Sequence, residues 1–142
     1  MQQKGKTKHR KFDTGYKFPT ARHKLSSSTV ATYLKAVEEN SKLYQGTELV
    51  PPTAVAALTF AAFSQGVSFP QGAIHAFQRI EFKDIVSTQD TIVCQARVSR
   101  SQKRGQMHLL TIELQVFNQN NKEVLTGELG VILPEQDQDK ES

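Results

Sequence analysis

The chain has 142 residues, a formal net charge of +4 and one cysteine. This length suits one domain with a single hydrophobic core and is too short for two ordinary domains. Its composition of 37% apolar, 8% aromatic and 23% charged residues is close to the globular average, which argues against wholesale disorder and fibrous repeats. Because Cys94 stands alone, an internal disulfide framework and a cysteine-rich zinc site are excluded.

The sequence predicts neither a membrane span nor an export signal. The longest apolar stretch, about residues 55–63, is interrupted by Thr59 and is too short to cross a bilayer. The first residues are basic, but no apolar segment of the kind found in secretory signals follows them. We therefore expect a soluble, cytoplasmic protein.

The positive charge is concentrated at the amino terminus. Residues 1–24 hold eight lysines and arginines against one aspartate, a net +7, which leaves −3 of the total +4 for the remainder. We expect residues 1–24 to form a basic, flexible arm, residues 25–134 the folded domain, and residues 135–142 an acidic tail. The arm could attach to nucleic acid, the ribosome or an acidic carrier protein, or it could be a solvated tail with no specific partner.

Two helices are predicted before residue 67. The spacing of Val30, Leu34 and Val37 indicates an amphipathic helix that begins after the serines at 26–28 and runs to about Asn40. A second helix is predicted from about residue 53, after two prolines, to a stop at residue 66. This second segment, TAVAALTFAAFSQG, is apolar on nearly every side, which predicts a central helix covered all round.

The hydrophobic period changes to two from residue 73 onward, which predicts four strands. They cover the stretch from residue 73, the segment TIVCQARVSR, the residues from His108 to Val116, and KEVLTGELGVIL. One buried helix followed by a long antiparallel sheet is compatible with few architectures. The apolar face of the sheet and the apolar helix must be buried against each other in a two-layer domain. We expect an α+β protein with a single hot-dog domain, in which the antiparallel sheet wraps around the central apolar helix.

Three stretches resemble the MaoC-like hot-dog family, which includes (R)-specific enoyl-thioester hydratases and subunits of 3-hydroxyacyl-carrier-protein dehydratases. They are TVATYLKAVEENSKLY, VPPTAVAALTFAAF and AIHAFQRIEFKDIVSTQDTIVCQARV; with NQNNKEVLTGELGVIL, the resemblance covers about residues 26–134. It implies an acyl-CoA or acyl-carrier-protein ligand, and a homodimer or a heterodimer with a catalytic hot-dog subunit.

The chain departs from this family at the catalytic loop. Active members carry Gly-Asp-x-Asn-Pro-aliphatic-His after the first helix, where this sequence has residues 38–44. Glu39 stands at the Asp position and Tyr44 at the His position, and tyrosine is a poor base near neutral pH. Tyrosine at this place is similar to the noncatalytic half of two-domain hydratases and to the substrate-binding subunit of heterodimeric dehydratases. The resemblance therefore implies a subunit without its own catalytic pair.

A second family motif is also altered. The hairpin pattern basic-Pro-aliphatic-x-x-Gly-Asp-Thr corresponds to residues 83–91, with Asp84 in place of the proline and Gln89 in place of the glycine.

The catalytic candidates are Glu39, Tyr44 and His75. Each has a structural alternative: a solvated carboxylate at a helix end, a packed loop aromatic, and a histidine satisfied by the backbone. The substrate-binding candidates lie on the apolar helix and at the start of the first predicted strand, and they are Val55, Leu58, Thr59, Ala62, Phe63 and His75.

No metal or cofactor is expected. Cys94 lies on an apolar strand face without an activating motif, so an inert thiol is predicted. His108 has no second ligand at metal spacing, and no glycine-rich phosphate loop is present.

The residues and the family resemblance leave three alternative functions open. The first is an acyl-thioester-binding subunit that works with a catalytic partner. The second is an active (R)-specific hydratase or 3-hydroxyacyl-thioester dehydratase that uses Glu39 or His75 unconventionally. The third is a dimeric binding module whose basic arm contacts a polyanion, although nucleic acid is the less favoured partner.

Overall fold

The computed structural model describes residues 12–135. In chain order the elements are β1 (Ala21–Lys24), α1 (Ser27–Ala36), α2 (Pro52–Gln65), β2 (Ile74–Phe82), β3 (Thr91–Arg104), β4 (Met107–Phe117) and β5 (Glu123–Pro134). The five strands form one antiparallel sheet with the order β1-β3-β4-β5-β2. No helix within this range is long and apolar enough to cross a membrane.

The sheet has an inner face, which turns towards α2, and an outer face, which turns away from it. Ile112 pairs with Val98 on one side and with Leu129 on the other, and all three are buried on the inner face. The predicted alternation on β3, β4 and β5 is therefore confirmed. The outer face carries mainly polar residues, among them the ion pairs Arg97–Glu113 and Arg79–Glu128, at 2.9 and 3.0 Å.

Helix α1 begins where the sequence predicts and ends earlier. Ser26 is its N-cap, and the Ser26 hydroxyl accepts a hydrogen bond of 3.2 Å from the Thr29 N–H. The helix ends at Ala36 rather than near residue 40, because Glu38 takes a left-handed backbone conformation with φ 56°. The predicted helix end is thus wrong by one turn, and Glu39 belongs to the loop.

Helix α2 confirms the prediction of a core helix, from Pro52 at its first turn to Gly66 as its C-cap. One side packs into the core through Ala54, Val55, Ala56, Thr59 and Phe63, all of them buried. The opposite side, which carries small alanines, is exposed in the single chain. The sequence predicts that α2 is covered on every side, but the rest of this chain covers only the side that faces the core.

The predicted arm boundary at residue 24 is wrong. Phe18 is only 5% exposed and its ring packs edge-on against the ring of Phe63 at a centroid distance of 5.1 Å. Phe12 and Tyr16 extend this aromatic cluster, and residues 21–24 form an edge strand. The leader is poor in aliphatic residues, but its aromatic rings bury enough surface to order it. The predicted mobility of residues 1–11 and of the acidic tail from residue 136 lies outside the described residues.

The two edges of the sheet differ. β1 is a four-residue edge strand with the cations Arg22 and Lys24. β2 is a nine-residue edge strand in which every residue except Ile80 is exposed. Short, charged edge strands resist further strand pairing, whereas long ones leave more unpaired backbone groups for it. The β2 edge is therefore the one suited to pair with another chain.

Candidate functional site

Two loops meet beside the start of α2. The Val50 N–H donates to the Val86 carbonyl at 3.0 Å, and the Thr88 N–H donates to the Glu48 carbonyl at 2.7 Å. Leu49 and Ser87 form an antiparallel bridge between these two contacts. These bonds hold the loop that follows α1 against the loop that follows β2, although the two are about 40 residues apart in the sequence.

The two loops, α2 and the end of β2 line an open cavity of about 480 Å³. This volume is within the usual range for small-molecule sites. Most of the lining is apolar and comes from Leu49, Val50, Pro52, Val55, Phe82, Ile85 and Val86, and Tyr44, Lys83 and Asp84 complete it. The cavity can therefore hold an apolar chain beside a few polar groups.

Asp84 is held in its charged form at the cavity wall. Lys122 Nζ lies 2.6 Å from Asp84 Oδ2, and the Ile85 N–H donates to Asp84 Oδ1 at 2.7 Å; both hydrogen bonds lower the Asp84 pKa. The same contact raises the pKa of Lys122. Because the Asp84 pKa is lowered, the charged carboxylate stabilises the fold at pH values above its ordinary pKa of 3.8. This stabilisation is lost as the pH falls through the lowered pKa. Near neutral pH, Asp84 can accept a hydrogen bond but has no proton to donate.

Lys83 lines the same cavity, and its Nζ lies 3.1 Å from Glu81 Oε2. No histidine is among the lining residues. The ionisable groups of the lining are therefore one amine, one carboxylate and one phenol, from Lys83, Asp84 and Tyr44.

Glu39 and Tyr44 are not brought together as a pair. Tyr44 is half-buried and lines the cavity. Glu39 does not line it, and its Oε2 accepts a hydrogen bond of 3.0 Å from the Ser41 N–H. This contact is that of a carboxylate stabilising the turn after a helix.

His75 lies away from the cavity. It is seven residues before Phe82 on β2, which corresponds to about 23 Å in an extended strand. Its Nε2 is 3.0 Å from the Phe77 carbonyl oxygen, next to an irregularity in the pairing of β2 with β5. The ring thus has the backbone partner that the structural interpretation requires.

Of the substrate-binding candidates on α2, Val55 alone lines the cavity. Thr59 and Phe63 are buried in the core, and Leu58 and Ala62 are partly buried outside the lining.

Sequence reasoning missed Phe82 and Ile85, which line the cavity beside Val55. Both lie at or next to the altered hairpin motif, so the motif marked the right segment. At Gln89, where the family has glycine, φ is 73°, a left-handed value that favours glycine. The backbone at Gln89 thus has a conformation that glycine adopts readily and that glutamine adopts only under strain.

Cys94 is buried on the inner face, and desolvation raises its pKa from 9.0 to about 11.

We expect the native protein to resist alkylation by iodoacetamide at mildly alkaline pH, because the thiolate is the reactive form. Protein unfolded in guanidinium chloride should react fully, and mass spectrometry reads both outcomes. Rapid labelling of the native chain would contradict the buried placement. Since the pKa is raised, the contribution of the thiol to stability is lost as the pH rises from about 9 to about 11.

His108 pairs with Leu133 on the inner face and is half-buried. In residues 12–135 no group of three or more His, Cys, Asp and Glu side chains could hold a metal ion.

A five-stranded antiparallel sheet that curves over one core helix defines a hot-dog domain, as the sequence predicts. The family described as FAS1-like, dehydratase domain region, matches residues 13–127. The chain therefore belongs to this family of hot-dog hydratases and dehydratases. No curated protein matches the sequence.

Several solved structures share the fold at low sequence identity. One is a monoamine oxidase regulatory protein from Archaeoglobus fulgius, with 17% identity and a TM-score of 0.79 over 89% of this chain and 94% of that one. Another is the (R)-hydratase from A. caviae involved in PHA biosynthesis, with 20% identity and a TM-score of 0.74 over 87% and 98%. A third is the HadBC 3R-hydroxyacyl-ACP dehydratase complex from Mycobacterium tuberculosis, with 15% identity and a TM-score of 0.65 over 84% of this chain and 96% of that one.

Proposed function

We propose that the protein is a MaoC-like subunit that binds the acyl chain of a CoA or carrier-protein thioester and works with a partner that supplies the catalytic Asp and His. The observation that carries this proposal is the composition of the cavity. Its walls are mostly apolar, and its lining includes Tyr44, the residue that the sequence resemblance aligns with the family's histidine. An acyl chain needs an apolar groove, and this cavity offers one that has no histidine in its lining.

The β2 edge supports a partner. Phe82 and Ile85 line the cavity, yet they are 43% and 69% exposed, so the cavity is open towards this edge. A second hot-dog chain that pairs along β2 would cover both side chains and close the cavity. Similar solved structures include two-chain assemblies, the HadBC complex and the ChsH1-ChsH2 complex. The proposal places both subunits in the cytoplasm, where a lone reduced cysteine is ordinary.

The proposal is tested with a non-reactive acyl-CoA thioether in a calorimetric titration. Val55→Phe adds a ring inside the cavity and should weaken binding by at least about tenfold, because the ring takes up space that the acyl chain needs and a steric cost of about 1.4 kcal/mol corresponds to a tenfold change in affinity. The matched control is Ala61→Phe, which adds the same ring on the exposed side of the same helix and should bind like the unchanged protein. Equal affinities for all three proteins would contradict binding in this cavity.

Crotonyl-CoA hydration separates this proposal from an active hydratase. The purified chain alone should show no turnover above the uncatalysed rate. Robust turnover that Glu39→Ala abolishes would contradict the noncatalytic assignment and favour the active enzyme. Turnover that His75→Ala leaves unchanged would exclude His75 from the chemistry.

A further inference from the structure

One wall of the apolar cavity is the loop that follows β2. Four consecutive residues of this loop, 83–86, belong to the cavity lining, and we call residues 83–90 the wall segment. Val86 is buried in the core, but Ile85 is 69% exposed, so burial of its side chain contributes little to fixing its position. The position of this part of the wall therefore depends on polar contacts.

Asp84 connects the wall segment to the turn between β4 and β5. Its Oδ1 accepts a hydrogen bond of 2.7 Å from the Ile85 N–H, and its Oδ2 lies 2.6 Å from Lys122 Nζ. A single carboxylate thus holds the backbone at Ile85 and links it to residues 118–122, which we call the bracing turn.

Gln119 of the bracing turn holds the other end of the wall segment. Its Nε2 donates to Asp90 Oδ1 at 3.0 Å, and its Oε1 accepts a hydrogen bond of 3.0 Å from the Thr91 N–H. The second oxygen of Asp90, Oδ2, accepts the Ser87 N–H at 2.9 Å. Both ends of the wall segment are therefore held by side chains from one turn.

The bracing turn is ordered by hydrogen bonds of its own. Asn118 Oδ1 accepts the N–H groups of Asn120 and Lys122 at 2.9 and 3.0 Å, and the Asn118 N–H donates to the Lys122 carbonyl at 2.9 Å. Asn121 has a φ of 62°, a left-handed value that asparagine adopts more readily than most residues. No residue of the bracing turn lines the cavity, so the turn acts on the cavity through the wall segment.

We propose that Gln119 and Lys122 are positioning residues for the acyl-binding cavity, and that the bracing turn sets the affinity for the acyl chain by fixing the wall segment. This inference rests on the proposed function, because it concerns the same cavity. A wall that is already ordered loses little conformational entropy when the ligand binds, whereas a loose wall must be ordered at the cost of affinity. Loosening the brace should therefore weaken binding although no ligand contact is removed.

An exchange of an amide and a carboxylate tests the contact between Gln119 and Asp90 in the titration with the acyl-CoA thioether. Gln119→Glu places two carboxylates against each other and should weaken binding about fivefold, since the wall segment is no longer held. Adding Asp90→Asn restores one amide and one carboxylate at this contact, with the two positions exchanged and the net charge unchanged. This double variant should recover most of the affinity.

The matched control is Gln115→Glu. Gln115 Nε2 donates to Glu123 Oε2 at 3.4 Å, so this variant also places two carboxylates together, but at residues outside the cavity lining. It should change affinity less than twofold. An equal loss in this control, or no recovery in the double variant, would overturn the proposal. Lys122→Ala should weaken binding about threefold, because an exposed ion pair contributes modestly, and Lys122→Arg should retain it.

Amide hydrogen exchange without ligand separates this inference from the proposed function. The Ser87 N–H should exchange faster in Gln119→Glu, regain its protection in the double variant and be unaffected by Gln115→Glu. Absence of thioether binding by the unchanged protein would contradict the proposed function, and exchange at Ser87 alone would then decide whether Gln119 positions the wall segment. Exchange at Ser87 that is the same in Gln119→Glu as in the unchanged protein would overturn the positioning role in either case.

Discussion

Gly130→Ala should lower the free energy of unfolding by about 2 kcal/mol. Gly130 lies on the outer face of β5, opposite Phe77 of the edge strand β2. A Cβ atom at Gly130 would overlap the Phe77 ring, which lies flat across the glycine. The ring must leave this place when a side chain is added, and its packing against β5 is then lost. Chemical denaturation followed by circular dichroism measures the change.

The control is a double-mutant cycle with Phe77→Ala. Once the ring is gone, Gly130→Ala should cost almost nothing, which gives a coupling energy of about 2 kcal/mol between neighbouring residues. Additive effects of the two substitutions would show that the ring does not occupy the space above Gly130. Gly46→Ala is not a suitable control, because the positive φ of Gly46, 71°, adds backbone strain of its own.

Thr59→Val should raise the free energy of unfolding by about 1–2 kcal/mol. Thr59 is 1% exposed, and its Oγ1 has no hydrogen-bond partner among the described residues. A buried hydroxyl without a partner carries a desolvation penalty of about 1–3 kcal/mol, and a methyl group of similar shape removes it. Thermal and denaturant unfolding of the purified variants measure the gain.

Thr53→Val on the same helix is the matched control with the opposite sign. The Thr53 hydroxyl accepts a hydrogen bond of 3.1 Å from Tyr33 at the helix surface, so its loss should destabilise slightly. A destabilising Thr59→Val would show that the Thr59 hydroxyl has a partner in solution. Thr59 was predicted to bind substrate, and since it does not line the apolar cavity we expect acyl binding to be unchanged in Thr59→Val.

The parts of the fold that the sequence predicted depend on local patterns. The core helix follows from a run of apolar residues that begins at a proline and stops at Gly66, and the inner face of β4 follows from apolar residues at every second position from Leu110 to Val116. The edge strand β1 could not be predicted in this way. It has four residues, and the cluster of Phe18 with Phe63 that fixes it joins segments 45 residues apart.

The candidate site was also predicted only in part, because local motifs can be recognised in the sequence and contacts between distant segments cannot. Tyr44 and Val55 were found because one belongs to a motif and the other to the core helix. Phe82 and Ile85 were missed because their proximity to Val55 results from the pairing of residues 48–50 with residues 86–88. Glu39 was a catalytic candidate because it stands at the Asp position of the family motif, whereas the left-handed turn at Glu38 places its carboxylate beside Ser41.

The pairing of β1 with β3 also has a consequence during synthesis. Residues 21–24 leave the ribosome first, but their partners, residues 91–94, follow about 70 residues later. At about 5–20 residues per second, that delay is roughly 4–14 s. Throughout this delay the rings of Phe12, Tyr16 and Phe18 have no sheet to pack on. Asp13 and Lys17, which lie between these rings in the sequence, are the charged side chains that keep the waiting segment hydrated.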